Sequence, residues 1–155
     1  MVLCFAPYGT KRMMSNMAKA NGVHNANSIR LAEMRCMMKP VILCYERCTT
    51  CKKALKWVSE MGYEVEVRPI KEENPTAEEL RRWHERSGLP LKRFFNTSGN
   101  MYKEMKLKDR LPEMSEEEQY QLLATDGMLV KRPLLVAEKG VFPGFRQEQW
   151  EEILG

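Results

Sequence analysis

Tyr45-Glu46-Arg47-Cys48-Thr49-Thr50-Cys51-Lys52-Lys53 joins two segments of opposite character. Before it stands the apolar, β-branched run Val41-Ile42-Leu43-Cys44-Tyr45, which reads as a buried strand over Pro40–Tyr45. After it Ala54, Leu55, Val58 and Met61 recur at helical spacing as far as Gly62, which predicts a helix over Thr50–Met61. The Cys-x-x-Cys pair therefore falls at the first turn of a helix. Backbone N–H groups there lack intrahelical partners and the helix dipole is positive, so a thiolate is favoured over a thiol. Arg47, Lys52 and Lys53 add positive charge. Cys48 is expected to be a nucleophile with a thiol pKa below the free value of about 8.5, and Cys51, one turn on, to resolve it.

Downstream, Tyr63-Glu64-Val65-Glu66-Val67 alternates with period two and reads as a second strand. The order strand–helix–strand predicts a parallel unit with a right-handed crossover. Thr76-Ala77-Glu78-Glu79 has capping-box spacing and starts a helix that runs to about Ser87, with Leu80 and Trp83 on its apolar face, broken by Gly88-Leu89-Pro90. Short helical turns are expected over Lys92–Asn96, anchored by Phe94 and Phe95, and over Met101–Lys106. A second capping box, Ser115-Glu116-Glu117-Glu118, opens a helix that turns Tyr120 and Leu123 inward and ends near Asp126-Gly127. Arg132-Pro133 precedes a third strand, Leu134–Ala137, and Lys139-Gly140 turns it into a short fourth, Val141-Phe142. Gln147–Leu154 closes the chain as a helix with Trp150, Ile153 and Leu154 on one side. The sum is an α/β protein: a thioredoxin-like fold with a helical insert between its βαβ and ββα halves. In that fold the proline opening the third strand is cis and faces the thiols, and Pro133 is the candidate.

Composition narrows the class. With 155 residues, 43% hydrophobic and 30% charged, the chain is of ordinary globular make-up. No apolar run approaches the roughly 20 residues that span a bilayer. Of the cysteines Cys4, Cys36, Cys44, Cys48 and Cys51, one pair alone has motif spacing, so a reducing cytoplasm fits better than a secreted disulfide framework. The net charge of +4 is unevenly spread: Lys11, Arg12, Lys19, Arg30 and Arg35 face Glu33 alone within residues 1–38, leaving 20 basic and 20 acidic residues in 39–155. Residues 39–155 thus lack the basic bias of a nucleic-acid-binding domain. Residues 1–38, Met-rich with a weak helical stretch over Ser28–Met37, are read as an extension to the 39–155 domain. They are a tail without function, the product of a start placed upstream of Met37 or Met38, or an acid-poor transit segment.

Other chemistry finds little support. A zinc site needs three or four protein ligands. Beyond the pair, the nearest candidates are Cys44, read as core, and His84, read as exposed on a surface helix, so no metal is expected. His24 carries no role, and the Lys and Glu clusters of 71–86 and 103–119 read as solvated faces. Arg132, beside Pro133, and Arg146, after Gly144-Phe145, fall on the flank of the thiols. Two guanidinium groups there would favour thiolate and could grip an oxyanion or carboxylate bidentately, unless they are simple surface arginines.

Cys48-Thr49-Thr50-Cys51-Lys52-Lys53-Ala54, Phe94-Phe95-Asn96-Thr97-Ser98-Gly99, Lys131-Arg132-Pro133-Leu134-Leu135-Val136 and Gly144-Phe145-Arg146 occur in that order. Together they resemble the arsenate reductase ArsC-like family, which also holds the Spx/MgsR regulators and small YffB/YusI-type proteins. The resemblance covers residues 39–155. It implies a thioredoxin-like fold, Cys48 as nucleophile, and glutathione with glutaredoxin, or thioredoxin, as reductant, with no bound cofactor. Three arginines hold the oxyanion in the family's arsenate reductases. Arg132 and Arg146 match two, while the third position falls at Asn96, which offers a hydrogen bond but no charge. That departure is closer to the YffB/YusI branch, for which the resemblance implies a glutathione-linked thiol reductase. The expected site is Cys48, Cys51 and Arg132 for chemistry, with Arg146, Asn96, Pro133, Thr49 and Thr50 around the substrate. Neither nucleic acid nor membrane is an expected partner. The alternative implied is a redox-sensing regulator whose partner is the C-terminal domain of the RNA polymerase α subunit.

Overall fold

The computed structural model describes residues 39–155; the expectations for residues 1–38, including Ser28–Met37 and His24, lie outside the described residues. The first strand, β1 (Val41–Cys44), is shorter than Pro40–Tyr45 because Pro40 has no N–H to give to a ladder. Helix α1 spans Thr49–Glu60, one residue earlier at each end than the apolar spacing suggested. Gly62, at φ +74, turns the chain out of it. Strand β2 is Glu66–Pro69, not Tyr63–Val67. A parallel strand extends only as far as its partner does, and β1 begins opposite Glu66. The alternation of Tyr63 and Val65 is used instead for packing, with the Tyr63 ring 5.8 Å from that of Trp57.

The insert begins with α2 (Ala77–Ser87), whose capping box at Thr76 and Glu79 forms on both sides, and which ends at left-handed Gly88. A 3₁₀ turn, Leu91–Phe94, precedes α3 (Asn100–Glu104). The sequence reading missed α4 (Leu107–Arg110) and a 3₁₀ turn at Leu111–Glu113. Leu107 and Leu111 are buried there, between Lys and Glu side chains of the 103–119 stretch that face solvent. Helix α5 (Glu116–Thr125) carries the second capping box. His84 is corrected as well. It is half-buried, its Nδ1 lies 2.6 Å from the Tyr120 hydroxyl, and its ring stands edge-on to Phe94. The hairpin of β3 (Leu134–Val136) and β4 (Val141–Pro143) and the final helix α6 (Gln147–Leu154) follow the sequence pattern closely.

The strands form one sheet in the order β2-β1-β3-β4, with β1 parallel to β2 and antiparallel to β3. Side chains alternate across it. Ile42, Cys44, Leu135 and Phe142 face α1 and α6, where Cys51, Ala54, Trp57, Val58 and Trp150 complete one core. Leu43, Leu134 and Val141 face the insert and pack with Leu80, Phe94, Leu107, Tyr120 and Leu123. Arg68 of β2 clasps the insert: its guanidinium reaches Glu79 Oε1 at 2.8 Å and the Asn74 carbonyl at 3.3 Å. Burial pushes the Glu79 carboxyl up, but the Arg68 hydrogen bond and charge and the Thr76 N–H outweigh it, so its pKa is lowered. A lowered folded pKa gives stability that is complete above the unfolded value of about 4.3 and is lost as pH falls through the folded one. Denaturant midpoints measured from neutral pH to about pH 3 should therefore decline less steeply in Arg68→Met than in wild type.

Candidate active site

Cys48 lies at the hinge between sheet and helix. A turn over Glu46 and Arg47 is closed by the Cys48 N–H donating to the Tyr45 carbonyl at 3.0 Å. Cys48 is then the N-cap of α1, with extended φ −86 and ψ 116, and its Sγ accepts the Cys51 N–H at 3.4 Å. This is the geometry in which a capping side chain meets an otherwise unpartnered helix donor. Cys48 is half-buried, whereas Cys51 is 1% exposed. Thr49 and Thr50 face outward.

Cys51 has a second sulfur neighbour that the sequence reading filed as core alone. The neighbouring Cys44 side chain is the main reason the Cys51 thiol is pushed down to about 6. Burial opposes the shift, while a backbone hydrogen bond from Tyr45, the contact with Cys48 and the charge of Arg132 reinforce it. Cys44 moves the other way, driven up first by its Cys51 neighbour and then by its own burial. No group of three or more His, Cys, Asp or Glu side chains is arranged to hold a metal ion among the described residues.

The facing wall is tied together through backbone. The Arg132–Pro133 peptide is cis and Pro133 is buried. Its carbonyl accepts the N–H of Gly144 at 2.8 Å, and the Gly144 carbonyl accepts Trp150 Nε1 at 3.0 Å. Gly144 has φ +98, open to glycine and strained for other residues, and this places Arg146 as the residue before α6. The Arg132 guanidinium lies 5.3 Å over the Tyr45 ring and donates to the Met128 carbonyl at 3.1 Å. That same carbonyl accepts Asn96 Nδ2 at 3.3 Å, so the Asn96 amide nitrogen is committed to the neighbouring Met128 loop. Gly127 lets this loop approach the sheet: a Cβ there would lie 2.0 Å from the Ile70 carbonyl oxygen.

A cavity of about 520 Å³ opens beside the thiols. Thr50, Arg132 and Arg146 line it, and so do Lys92, Arg93 and Lys131. Cys48, Cys51, Thr49, Asn96 and Pro133 are not in its wall. Among the described residues no salt bridge neutralises any of the five cations. The three extra cations were legible in principle, since Lys92-Arg93 and Lys131-Arg132 are basic pairs set directly beside apolar anchors. What brings the pairs together is a long-range contact, the Phe95–Val130 bridge with the Lys131 N–H on the Phe94 carbonyl at 2.6 Å.

Sheet, helix placement and the thiol pair at the strand-to-helix turn define a thioredoxin-like protein. A model of the ArsC family matches residues 43–153, and the chain belongs to that family. It is 52% identical over 108 residues to the uncharacterized protein YusI of Bacillus subtilis, covering 70% of this chain and 92% of that one. The regulatory protein MgsR of the same organism is 29% identical over 101 residues, covering 65% and 79%. A crystal structure of an ArsC family related protein from Bacteroides fragilis superposes with a TM-score of 0.73 at 55% identity, covering 75% of this chain and 98% of that one. An arsenate reductase from Vibrio cholerae gives 0.68 at 27%, covering 76% and 98%.

Exposure ranks the thiols for an incoming reagent. Brief alkylation at neutral pH, mapped by peptide mass, should modify Cys48 well before Cys44 or Cys51, which react on unfolding. Equal labelling of Cys51 in the folded chain would contradict the order of burial.

Proposed function

We propose that this protein is a thiol–disulfide oxidoreductase that acts on anionic disulfides through Cys48 and Cys51. The observation that carries the reading is the pairing of one accessible thiol and one buried thiol beside a 520 Å³ cavity with five cations and no carboxylate in its wall. Cys48 attacks a substrate sulfur as thiolate, one half of the disulfide departs as a thiolate, and the other half stays bonded to Cys48. Cys51 then displaces that half, forming the Cys48–Cys51 disulfide. Two electrons from glutathione, with glutaredoxin or thioredoxin as the delivering protein, restore both thiols.

The cationic wall concentrates anions. Arg132 and Arg146 hold a carboxylate, with Lys92, Arg93 and Lys131 extending the field and Thr50 supplying a hydroxyl. Cavity size favours a peptide-sized acidic thiol over a bare oxyanion. An arsenate ion displaces the volume of only a few waters, each about 30 Å³ of liquid. The family name and the Vibrio cholerae arsenate reductase support arsenate as a further substrate. Asn96 stands where the resemblance expects a third arginine, which argues for weak arsenate turnover.

Turnover of glutathione mixed disulfides and of arsenate should be compared across variants. Cys48→Ser is expected to abolish both activities. Losing one partly exposed, charge-assisted hydrogen bond costs about 1.5 kcal/mol, so Arg146→Met should lower kcat/KM for the mixed disulfide about tenfold, more at low salt. Asn96→Arg should raise arsenate turnover. Full activity in Cys48→Ser would overturn the reading.

Similarity to MgsR favours a second role, a redox-sensing regulator that binds the C-terminal domain of the RNA polymerase α subunit. Direct binding to that domain, lost on oxidation or reduction of the pair, together with no turnover of either substrate, would replace the enzymatic reading.

A further inference from the structure

The cavity of about 520 Å³ has the reacting sulfurs beside it and not in its wall. What fills it is therefore the part of a substrate that does not react, and the wall describes that part. Lys92 and Arg93 reach it from the 3₁₀ turn Leu91–Phe94. Lys131 and Arg132 precede β3, and the Lys131 N–H on the Phe94 carbonyl at 2.6 Å ties them to that turn. Arg146 comes from a third segment, just before α6. Buried Phe142 and half-buried Phe145, its ring edge-on to Trp150 at 5.0 Å, supply apolar surface between the charges. Five like charges gathered in one place repel one another until an anion lies between them. A carboxylate needs only Arg132 and Arg146, which leaves three cations over. Among the described residues no carboxylate stands in this wall, so an amino group entering it would meet five positive charges and no partner. Glutathione brings such an ammonium together with its carboxylates. A phosphate ester brings close to two negative charges on one group, several acceptor oxygens and no cation.

We propose that this cavity is a phosphate subsite, in which Lys92, Arg93 and Lys131 join Arg132 and Arg146, and that the disulfides the protein reduces are those of phosphorylated low-molecular-weight thiols. The proposal rests on the reading of Cys48 and Cys51 as the working pair. The uncharged arm of such a thiol lies along Phe142 and Phe145, and its sulfur reaches Cys48 at the side of the cavity. The Cys48 thiolate bonds to one substrate sulfur, the S–S bond breaks, and one phosphothiol departs as thiolate with the electron pair. The subsite holds the half that stays bonded to Cys48. The Cys51 thiolate then bonds to the Cys48 sulfur and expels that half as a second thiolate. The two protons given up by Cys48 and Cys51 pass through solvent to the two released thiolates. The substrate gains two electrons, the cysteine pair becomes a disulfide, and glutathione, the reductant already named, restores it.

The test follows single turnovers of the fully reduced full chain at neutral pH, counting thiol released from four symmetrical disulfides. Pantethine carries the reacting arm without charge, and its bis-phosphate adds one phosphate to each arm. Glutathione disulfide carries carboxylates and ammonium groups, and its N-acetyl derivative keeps only the carboxylates. At low salt the bis-phosphate should react about tenfold or more faster than pantethine at equal concentration, the worth of one charge-assisted hydrogen bond. Acetylation should speed glutathione disulfide about threefold, and raising salt to about 0.5 M should remove most of the phosphate advantage. In the double variant Lys92→Met/Lys131→Met the ratio of bis-phosphate to pantethine rates should fall to within about threefold. Both rates come from one preparation, so any loss of folded protein cancels from the ratio. Equal rates for pantethine and its bis-phosphate, a ratio that the double variant leaves unchanged, or a slower reaction after acetylation overturns the phosphate subsite and leaves the cysteine pair intact. Thiol release no greater than that of Cys48→Ser with all four disulfides removes the redox-pair reading and the subsite with it.

Discussion

β1 is buried on both faces and paired along both edges, and everything else is arranged around that constraint. A strand with no side to water must be apolar throughout, and Ile42, Leu43 and Cys44 are all buried. It must also end abruptly, because the chain has to leave the core to reach solvent. The Tyr45 carbonyl accepting the Cys48 N–H makes that exit in one turn. The first helical donors therefore open onto the surface at the point where the strand stops, and Cys48 occupies that point. The place of Cys48 follows from the burial of the strand more than from any preference of the cysteine itself.

The two sides of the site are held differently. On the thiol side, position comes from regular structure: strand, turn and helix cap. On the cationic side it comes largely from main-chain hydrogen bonds between irregular segments, Gly144 to Pro133, Lys131 to Phe94 and Asn96 to Leu129, to which the Arg132 and Asn96 side chains add bonds to the Met128 carbonyl. Hydrogen bonds of the main chain are insensitive to side-chain identity. Wall residues such as Lys92 and Lys131 can therefore differ in charge while these main-chain bonds keep the wall's shape, whereas the Asn96 side chain, outside the wall, is itself one of the ties.

Most of the fold was legible in the sequence because its signals are local. The two capping boxes formed as spelled by Thr76-Ala77-Glu78-Glu79 and Ser115-Glu116-Glu117-Glu118. Gln147–Leu154 matched its apolar spacing. The misses have non-local causes. Tyr63–Val67 alternates as a strand should, but the reach of β1 decided where pairing began. α4 was hidden because its buried positions, Leu107 and Leu111, stand among Lys, Asp and Arg. Cys48, Cys51, Arg132 and Arg146 could be picked from spacing and from family resemblance. Lys92, Arg93 and Lys131 could not be joined to them without the Phe95–Val130 bridge, and Cys44 looked like any small apolar residue in a strand.

The sheet order carries a consequence for how the molecule is made. Val41–Leu43 pair with Leu134–Val136, from the far side of the insert. Synthesis delivers both cysteines early and their guanidinium partners late. Until β3 emerges, β1 has an open edge and one face without its final cover, and contacts between such distant segments form slowly. A nascent chain in that interval presents its thiols with neither the cationic wall nor the apolar pocket around them. Any oxidation it meets then falls on cysteines whose partners have not been chosen by the fold. A ribosome stalled within the insert would hold the protein in this exposed form.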